Sequence, residues 1–471
     1  MSIHTWSETM SHKGFEQYLS DFAGQKSILI LGYGREGKSS LQQFERILPK
    51  EQLAIADMNP SATDGLTQSG YNVFAGSSYL DALQVYDIIV RSPGIPPSLL
   101  INRRKDAIIT SQSALFLAFF HDQVIGITGT KGKSTTATLT NMMLNNSGVE
   151  SYLAGNIGLP PFELADKMQA GVWAVLELSA HQLEDITRGP RLASLLNLYE
   201  EHLDHFSSTQ AYHEAKWRIF MSQKEGDTGL YPVDSAAVQS LMKEQHPPSM
   251  MLGYSFQSNM STFYLEGDAL CIQTDQGLCK IDAGYRPGLP GLHNLLNSLV
   301  ASALVSLAGG NSAGIQASLK TYQGLPHRMQ YLGLIDGIHC YNDAIATAPE
   351  ATIAAIETLK DVTTLLLGGL DRGIDYHPLV TYLVQKRIPC ICASGPAGKR
   401  IVQLLLRDGA SGTLHYDPHF DDAVQKAKGL TPTGGTLLFS PSASSYDEFK
   451  DFAEKGRVFE QLLRGPSAAA V

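Results

Sequence analysis

Short apolar runs that end in glycine or serine alternate with helix-length amphipathic segments through most of this 471-residue chain. A short run of consecutive apolar residues is typical of a strand buried on both faces, and helices between such strands indicate a parallel sheet. The pattern therefore predicts an α/β fold. The predicted strands are residues 27–31, 88–90, 124–128, 172–176, 194–198, 363–367 and 437–439.

The pattern divides into three successive blocks, as expected for a chain that is too long for one hydrophobic core. Residues 1–111 open with a strand and a glycine-rich turn, which predicts a Rossmann-like N-terminal domain. Residues 112–324 start with a second such turn and include the most β-like stretch, 250–281; they predict a central P-loop ATPase-type domain. After a Gly-Leu-Pro sequence that suits a linker, residues 325–471 again alternate strands and helices and predict a Rossmann-like C-terminal domain.

Composition and charge narrow the classes of partner. Hydrophobic residues make up 43% of the chain and charged residues 17%, as in ordinary globular proteins. The net charge of −10 argues against nucleic acid and anionic membranes as partners, so a phosphate ligand would need a local site. The five cysteines form no CxxC pair, no apolar stretch is long enough for a membrane span, and the N-terminus lacks a signal-peptide core. We expect a cytoplasmic protein with reduced thiols.

The first glycine-rich turn has the pattern GxGxxG at residues 32–37, directly after the first predicted strand. Such a turn lets the backbone approach a phosphate at the N-terminus of the following helix. Asp57 follows a second apolar run at the distance expected for an acid that binds a ribose. Two interpretations stay open on these residues: a nucleotide-binding turn, and a tight packing turn between strand and helix.

The second glycine-rich turn carries stronger evidence of function. Backbone N–H groups of such a loop converge on phosphate oxygens, Lys133 adds a mobile positive charge for the β- and γ-phosphates, and the Ser134 hydroxyl can ligate Mg²⁺. Ile127 stands where the strict P-loop pattern has its first glycine, yet the groups that the chemistry requires are present. The turn predicts an ATP site. Its residues are Gly129, Thr130, Lys131, Gly132, Lys133, Ser134 and Thr135.

Further motifs follow in order along the chain. They are Ser92-Pro-Gly-Ile95, Gly155-Asn-Ile-Gly158, Glu177-Leu-Ser-Ala-His-Gln182, Asn197 with Glu201-His202-Leu-Asp204, Ala215-Lys216, Gly291-Leu-His-Asn294 with Asn297, Gly324-Leu-Pro-His-Arg328, Asn342-Asp343, Gly368-Gly369 and Ser440-Pro441. In content and order, from residue 26 onwards, they resemble the Mur ligase family, ATP-dependent enzymes that build the peptidoglycan stem peptide. The resemblance is strongest to the branch that adds glutamate to UDP-N-acetylmuramoyl-L-alanine.

The resemblance implies an enzyme that activates a carboxylate with ATP. Phosphorylation gives an acyl phosphate, which the amine of the incoming amino acid attacks. Because several anionic oxygens meet in such a site, it needs cations, and Mg²⁺ is implied beside ATP. The implied domains bind UDP at 1–111, ATP at 112–324 and the amino acid at 325–471. We expect a monomer that adds D-glutamate, the commoner activity of this branch, to UDP-N-acetylmuramoyl-L-alanine.

By resemblance, Lys133, Glu177, His202 and Lys216 are the catalytic residues. Glu177 follows an apolar strand and would ligate Mg²⁺ together with Ser134, and His202 would hold a second Mg²⁺. Lys216 matches a lysine that the family carries as a carbamate, which would be a further ligand. Carbamate formation requires a neutral amine, and burial favours that form. Without the resemblance, Glu177 and His202 would be ordinary surface residues and Lys216 a polar position of an amphipathic helix.

The resemblance also assigns residues to the two nucleotides. Asn294 and Asn297, on one helical face, match a pair that contacts adenine, whereas Arg328 and Asp343 match residues that reach ATP from the third domain. The GxGxxG turn is thereby assigned to uridine diphosphate instead of NAD. The residues implied for the UDP substrate are Gly34, Arg35, Glu36, Asp57, Ser92, Gly94, Asn156, Ser179 and Gln182.

For the acceptor amino acid the resemblance implies Thr347, Arg372, Ser445 and Phe452. Residues 342–348 read Asn-Asp-Ala-Ile-Ala-Thr-Ala, without the serine and the lysine of the usual D-glutamate pattern. Arg372 stands where the family usually has lysine; its planar fork can bind a carboxylate, although the two side chains are not interchangeable. A lysine-poor stretch also resembles the less common branch that adds L-glutamate, so the stereochemistry of the acceptor stays open.

Three alternatives remain. A nucleotide-binding relative without catalysis would have no need for the cation-binding set of Glu177, His202 and Lys216. A dehydrogenase would use the GxGxxG turn and leave the second glycine-rich turn without a role. A ligase for alanine or a diamino acid would keep the ATP site and differ only at the acceptor.

Overall fold

A computed structural model describes residues 12–201, 205–256, 261–274, 277–284, 286 and 288–465. These residues form three sheets. The chain separates into two compact units. The first unit comprises Met1–Gly284 and Leu296–Leu319, and the second comprises Tyr285–Leu295 and Lys320–Val471.

The first sheet lies within residues 28–110. Its strands are β1 Ile28–Leu31, β2 Leu53–Asp57, β3 Asn72–Ala75, β4 Ile88–Arg91 and β5 Ile108–Thr110, and the helices are α1 His12–Ala23 and α2 Arg35–Glu45. All strands are parallel, in the order β3-β2-β1-β4-β5. β1 and β4 are buried throughout, and apart from Arg91 at the end of β4 their residues are all apolar. The predicted strand, GxGxxG turn and helix are confirmed.

The second sheet has nine strands. These are β6 Val124–Thr128, β7 Ser151–Gly155, β8 Trp173–Glu177, β9 Leu192–Leu195, β10 Thr228–Pro232, β11 Met250–Ser255, β12 Phe263–Glu266, β13 Ala269–Thr274 and β14 Gly277–Asp282. The helices in this part of the chain are α3 Gln112–Phe120, α4 Lys133–Asn146, α5 Ala180–Leu183, α6 Thr209–Met221, α7 Ala236–Glu244, α8 Leu292–Leu307 and α9 Ser312–Thr321. The order is β14-β13-β12-β11-β10-β9-β6-β8-β7. Strands β6 to β12 pair with one another in parallel, and β13 and β14 extend the sheet from β12 with antiparallel pairing.

One predicted strand, 194–198, is displaced in the structure, where β9 ends at Leu195. The apolar run continues because Leu196 and Leu198 remain buried after the strand has ended. Leu196 still donates from its N–H to the Thr128 carbonyl, at 2.9 Å, and the chain then turns beneath the second glycine-rich turn. Buried residues give the same apolar pattern inside a strand and after it, so the run alone could not mark where the strand ends.

The third sheet lies in the second unit. Its strands are β15 Gln330–Ile335, β16 Ile338–Asn342, β17 Thr364–Gly368, β18 Cys390–Ser394, β19 Thr413–Asp417 and β20 Thr436–Phe439, and the helices are α10 Pro349–Leu359, α11 His377–Lys386, α12 Gly395–Arg407, α13 Phe420–Leu430 and α14 Phe452–Arg464. The order is β15-β16-β20-β17-β18-β19, and only the β15–β16 pair is antiparallel.

Each predicted block contains one sheet, which confirms the α/β class. The first two sheets belong to the same compact unit. An aromatic cluster contributes to the core of the first unit: the Phe15 ring contacts those of Phe116, Phe120 and Phe162. The domain limits at 111/112 and 324/325 stay a prediction. Within the described residues, no helix combines the length and the apolar character needed to cross a bilayer.

Candidate active site

The second glycine-rich turn connects the buried strand β6 to α4. Gly132 caps α4 with φ +86°, a left-handed conformation that favours glycine. A Cβ at Gly132 would also lie 2.5 Å from Oδ1 of Asn297, so this helix-cap position is packed closely against the asparagine that was assigned to adenine. Backbone N–H groups at the start of α4 and the positive end of its dipole favour an anion at this loop.

Two lysine side chains meet at one carbonyl of this loop. Nζ of Lys133 donates to the carbonyl oxygens of Gly129 and Thr130, each at 2.9 Å. Nζ of Lys216, on α6, donates to the same Gly129 oxygen at 2.9 Å. The structure therefore brings together two predicted catalytic residues that lie far apart in the sequence, with the side-chain nitrogen of Lys216 on the same carbonyl as that of Lys133.

Lys216 is almost completely buried, with 1% of its surface exposed. Its ammonium lies 4.6 Å from the centre of the Tyr212 ring. Burial lowers the pKa of Lys216 to about 7, and the neighbouring positive charge of Lys133 acts in the same direction. A substantial fraction of the amine is therefore neutral near pH 7, as carbamate formation requires.

Glu177 ends β8, next to β6 in the sheet, so its carboxylate lies at the same edge as the second glycine-rich turn, residues 129–135, which we call the phosphate loop. Oε1 accepts a hydrogen bond of 2.8 Å from Nδ2 of Asn156. Oε2 is buried, and no described residue hydrogen-bonds to it. A buried carboxylate oxygen without a protein partner beside a phosphate loop has the chemistry of a cation ligand.

Asn197, in the segment after β9, hydrogen-bonds to the phosphate loop. Its side chain accepts from the Lys131 N–H at 2.8 Å and donates to the Lys131 carbonyl at 3.0 Å. The Lys131 ammonium pairs with Glu201. His202, the predicted ligand of a second Mg²⁺, lies outside the described residues.

The residues available for Mg²⁺ fit that ion. The hydroxyl of Ser134 lies in the first turn of α4, and the buried Oε2 of Glu177 has no hydrogen-bond partner among the described residues. Both are hard oxygen ligands, which suit Mg²⁺, whereas the Lys216 amine would supply oxygen ligands only as a carbamate. Among the described residues, no three His, Cys, Asp or Glu side chains cluster as a metal site, so the set would depend on a carbamate or on His202.

The predicted UDP pocket lies at the carboxyl edge of the first sheet. Oδ2 of Asp57 accepts from the Tyr33 N–H at 2.6 Å, and its Oδ1 accepts from the Asn59 N–H at 2.7 Å. Oγ of Ser92 donates to the Gly32 carbonyl at 2.8 Å. Asp57 and Ser92 thus hold the GxGxxG turn from both neighbouring strands, and Gly94 lies just after Ser92.

Arg35 connects the first sheet to the second. Its guanidinium donates to the carbonyl oxygens of Gly155, Asn156 and Gly158, at 3.0, 3.3 and 3.1 Å. All three carbonyls lie in the loop that places Asn156 on Glu177. Arg35 therefore links the GxGxxG turn to the edge of the second sheet that carries Glu177.

Glu36 makes the second such link. Its Oε1 accepts from Nε2 of Gln182 at 2.7 Å, and Oε1 of Gln182 accepts from the N–H of Ser179 at 3.0 Å in a capping box at the start of α5. Burial raises the pKa of Glu36, while the Gln182 hydrogen bond lowers it. The structure thus connects Glu36, Ser179 and Gln182, three residues predicted for the UDP substrate.

Arg91, at the end of β4, is a residue that the sequence analysis missed. Its buried guanidinium donates to Oδ2 of Asp185 at 3.0 and 2.7 Å and to Oε2 of Glu184 at 3.1 Å. It also bonds to the Ile95 carbonyl, beside the predicted pocket residues Ser92 and Gly94. An arginine between an apolar strand and a Ser-Pro-Gly turn is the signal that could have pointed to it.

The second unit contains the other residues predicted for ATP. Asp343 is buried; it accepts from the Met329 N–H at 3.1 Å and from Oγ of Ser440 at 3.0 Å. Burial raises the pKa of Asp343 to about 7, against the lowering effect of these hydrogen bonds. Arg328 is exposed, and Nδ2 of Asn294 donates to the Pro290 carbonyl at 2.8 Å.

The predicted acceptor residues lie on three segments of the second unit. Thr347 and Arg372 are exposed, and the Arg372 guanidinium lies 5.5 Å from the centre of the Tyr446 ring. Ser445 is 2% exposed, and its Oγ has no hydrogen-bond partner among the described residues. Phe452 begins α14. A hydroxyl, a guanidinium and aromatic rings are suited to a small amino acid with carboxylates.

Known proteins resemble the chain along most of its length. Residues 127–305 match the family model described as Mur ligase middle domain. A UDP-N-acetylmuramoylalanine–D-glutamate ligase of Symbiobacterium thermophilum is 32% identical over 412 residues, which cover 85% of this chain and 89% of the relative. A protein of the same name from a Geobacter species is 36% identical over 464 residues, which cover 93% of this chain and 97% of the relative.

Solved structures share the fold at low sequence identity. MurF from Acinetobacter baumannii covers 95% of this chain and 98% of its own, with a TM-score of 0.58 and 14% identity. A MurF ligase from Thermotoga maritima in complex with ADP covers 93% and 95%, with a TM-score of 0.52 and 16% identity. At these identities the likeness concerns the fold alone, and it confirms the predicted three-domain α/β architecture.

Proposed function

Because the chain belongs to the Mur ligase family of ATP-dependent amide ligases, we propose that it joins D-glutamate to the carboxylate of UDP-N-acetylmuramoyl-L-alanine. The relatives that support this substrate pair carry it in their names and cover nearly the whole chain. A cytoplasmic location and a monomeric state belong to the same proposal, and cell fractionation and light scattering test them.

One observation supports the proposal most directly. The ammonium groups of Lys133 and Lys216 converge on the Gly129 carbonyl, each at 2.9 Å. Glu177 ends the adjacent strand with a buried oxygen that has no partner among the described residues. A triphosphate bound at this loop would meet the positive charge of Lys133, while Glu177 and a carbamate on Lys216 would hold the cation that phosphoryl transfer requires.

The proposed reaction has two steps. A carboxylate oxygen of the precursor attacks the γ-phosphorus of ATP, the bond from that phosphorus to the bridging oxygen breaks, and ADP leaves. The amine of glutamate then attacks the carbonyl carbon of the acyl phosphate, loses a proton and displaces inorganic phosphate. Both steps gather negative charge on oxygens, so positioning and electrostatic stabilisation supply most of the acceleration.

Each residue has one role in this proposal. Lys133 binds the β- and γ-phosphates, while Ser134, Glu177 and the carbamate of Lys216 would hold Mg²⁺, with His202 assigned by resemblance alone. The ion, when bound, neutralises charge on the phosphate oxygens. Arg35 and Glu36 hold the UDP-binding turn against the loop and the helix that carry Asn156, Ser179 and Gln182.

In the second unit, Arg372 would bind a carboxylate of glutamate, and Ser445, Phe452 and Thr347 would frame its side chain. The residues 344–348 favour a second candidate, an L-glutamate-adding ligase on the same precursor, because they lack the lysine of the usual D-glutamate pattern. The two candidates share the ATP site and differ only in the acceptor.

Phosphate release with UDP-N-acetylmuramoyl-L-alanine and ATP tests the proposal, with D-glutamate, L-glutamate, alanine and a diamino acid in separate reactions. We expect release and an amide product with D-glutamate. Lys133→Ala should abolish turnover without changing the circular dichroism spectrum, whereas Lys243→Ala, an exposed lysine on α7, should behave as wild type. Product with L-glutamate alone would select the second candidate, and wild-type turnover in Lys133→Ala would refute the phosphate-loop assignment. Binding of ATP without any amide product would indicate a non-catalytic relative.

A further inference from the structure

Helix α14 buries a lysine on its apolar face. The face comprises Lys455, Gly456, Phe459 and Leu463, and Lys455 is 0% exposed. An ammonium group is costly to remove from water unless the protein provides compensating contacts. The steps proposed above do not use Lys455, so its burial calls for another role.

The contacts of Lys455 point to the end of β17. Its Nζ donates to the Gly368 carbonyl at 3.0 Å and lies 5.0 Å from the centre of the Phe420 ring and 5.7 Å from that of Phe449. Burial lowers the pKa of Lys455, and the nearby carboxylates of Asp447 and Glu448 act in the opposite direction. The Lys455 ammonium thus lies beside two aromatic rings and donates to one backbone carbonyl, that of Gly368.

That carbonyl belongs to the Gly368–Gly369 turn, which is held from several sides. The Gly368 N–H donates to the Pro441 carbonyl at 2.8 Å, and the Gly369 carbonyl accepts from the Ala397 N–H at 2.9 Å. Gly369 has φ +151°, and a Cβ there would lie 3.1 Å from Nζ of Lys455 and would overlap the Ser444 carbonyl oxygen. Only glycine allows such close approach, so Lys455 packs directly against the Gly368–Gly369 turn.

Three of the four predicted acceptor residues, all but Thr347, lie on segments that are joined to this turn. Arg372 follows the turn by three residues. The Leu370 N–H donates to the Ser444 carbonyl at 2.8 Å, which places Ser445 beside the turn. Phe452 lies one helical turn before Lys455 on α14. The Lys455 ammonium therefore joins the helix that carries Phe452 to the turn that carries Arg372.

We propose that Lys455 is a positioning residue for the acceptor amino acid: its hydrogen bond to the Gly368 carbonyl sets the distance between Arg372, Ser445 and Phe452. This inference rests on the proposed function, because it assumes that these three residues bind the acceptor. If Lys455 had a purely structural role, replacing it would change stability, and the KM values of all three substrates would be affected to the same extent.

The test compares Lys455→Met with Lys450→Met in the full-length protein. Methionine keeps the length and the apolar contacts of Lys455 but cannot donate to Gly368, whereas Lys450 is an exposed lysine of the same segment. We expect the glutamate KM of Lys455→Met to rise about tenfold, with the KM values for ATP and the UDP precursor within about twofold of wild type, because small misplacements of binding groups weaken catalysis strongly. Lys450→Met should match wild type. Circular dichroism and a urea midpoint establish that each variant is folded.

A folded Lys455→Met with wild-type glutamate KM would overturn the inference, as would equal increases in all three KM values. If Lys455→Met does not fold, the KM values of Lys455→Arg test the inference instead. It keeps a buried cation and a donor, but its larger planar group displaces the turn, so the glutamate KM should rise at least about threefold and alone. Unchanged values would overturn the inference. Wild-type protein that uses a different acceptor would overturn the glutamate assignment only, and the comparison is then made with that acceptor. Wild-type protein without ligase activity would overturn both proposals.

Discussion

Removal of the buried cation Arg91 is the sharpest stability test that the first unit offers. Its side chain is 0% exposed, and its two acidic partners, Glu184 and Asp185, have 14% and 11% of their side chains exposed. Arg91→Met fills a similar volume and leaves both carboxylates without their cation. The cost arises from those remaining charges and not from lost packing.

Removing one partner of a buried ion pair typically costs about 3–5 kcal/mol, because the other charge stays desolvated and uncompensated. A loss of this size raises the equilibrium constant for unfolding by roughly a hundred- to several-thousandfold. Here Asp185 loses its arginine outright, whereas Glu184 keeps its contact with Nε2 of His205 at 3.2 Å, so we expect a loss within this range. Adding Asp185→Asn to Arg91→Met should recover part of the loss, because one of the two uncompensated charges is then absent.

Urea unfolding followed by tryptophan fluorescence is suited to the measurement. Trp173 and Trp217 both belong to the first unit, so the signal reports on the unit that contains Arg91. Arg104→Met is the matched control: its ion pair with Asp106 is solvent-exposed and that with Asp87 is partly exposed, and such pairs contribute little to stability. The midpoint should fall markedly for Arg91→Met and hardly at all for Arg104→Met.

The reasoning would be refuted by an Arg91→Met midpoint that corresponds to a loss of less than about 1 kcal/mol at unchanged m-value, since that is the size expected of exposed pairs. A change in m would instead indicate that the variant alters the compactness of one of the states. The circular dichroism spectrum of the variant in buffer establishes that it is folded before unfolding begins.

Three further predictions concern other sites. Lys216→Ala should be inactive in the phosphate-release assay and partly recovered by short-chain carboxylates that replace a carbamate; full activity without additives would contradict the modified lysine. Arg372→Ala should raise the KM for glutamate much more than that for ATP, and equal effects would mean that Arg372 does not face the acceptor. Burial raises the pKa of Asp343 from 3.8 to about 7, so its contribution to stability is fully present below the unfolded value and is lost as the pH rises to the folded value. Asp343→Asn should therefore flatten the decline of the urea midpoint between about pH 4 and about pH 7; an unchanged pH profile would argue against a buried, proton-binding carboxyl.

Much of the fold follows from local patterns. The strands β6 and β17 are continuous apolar runs, and the sequence predicts them because a strand buried on both faces admits few polar residues. The phosphate loop is equally local, since glycines, a lysine and a hydroxyl must follow one another within a single turn. The strand predicted at 194–198 was wrong in its end, because Leu196 and Leu198 stay buried after the strand has ended at Leu195.

What the sequence by itself determined is the α/β class, the order of the sheets along the chain and the loop that would bind ATP, because each depends on neighbouring residues. What only the tertiary structure decided are contacts between distant residues. Lys216 reaches the Gly129 carbonyl across 87 positions, and Lys455 reaches Gly368 across the same number. Burial and charge at such contacts depend on the whole surroundings of a side chain, and no short stretch of sequence contains those surroundings.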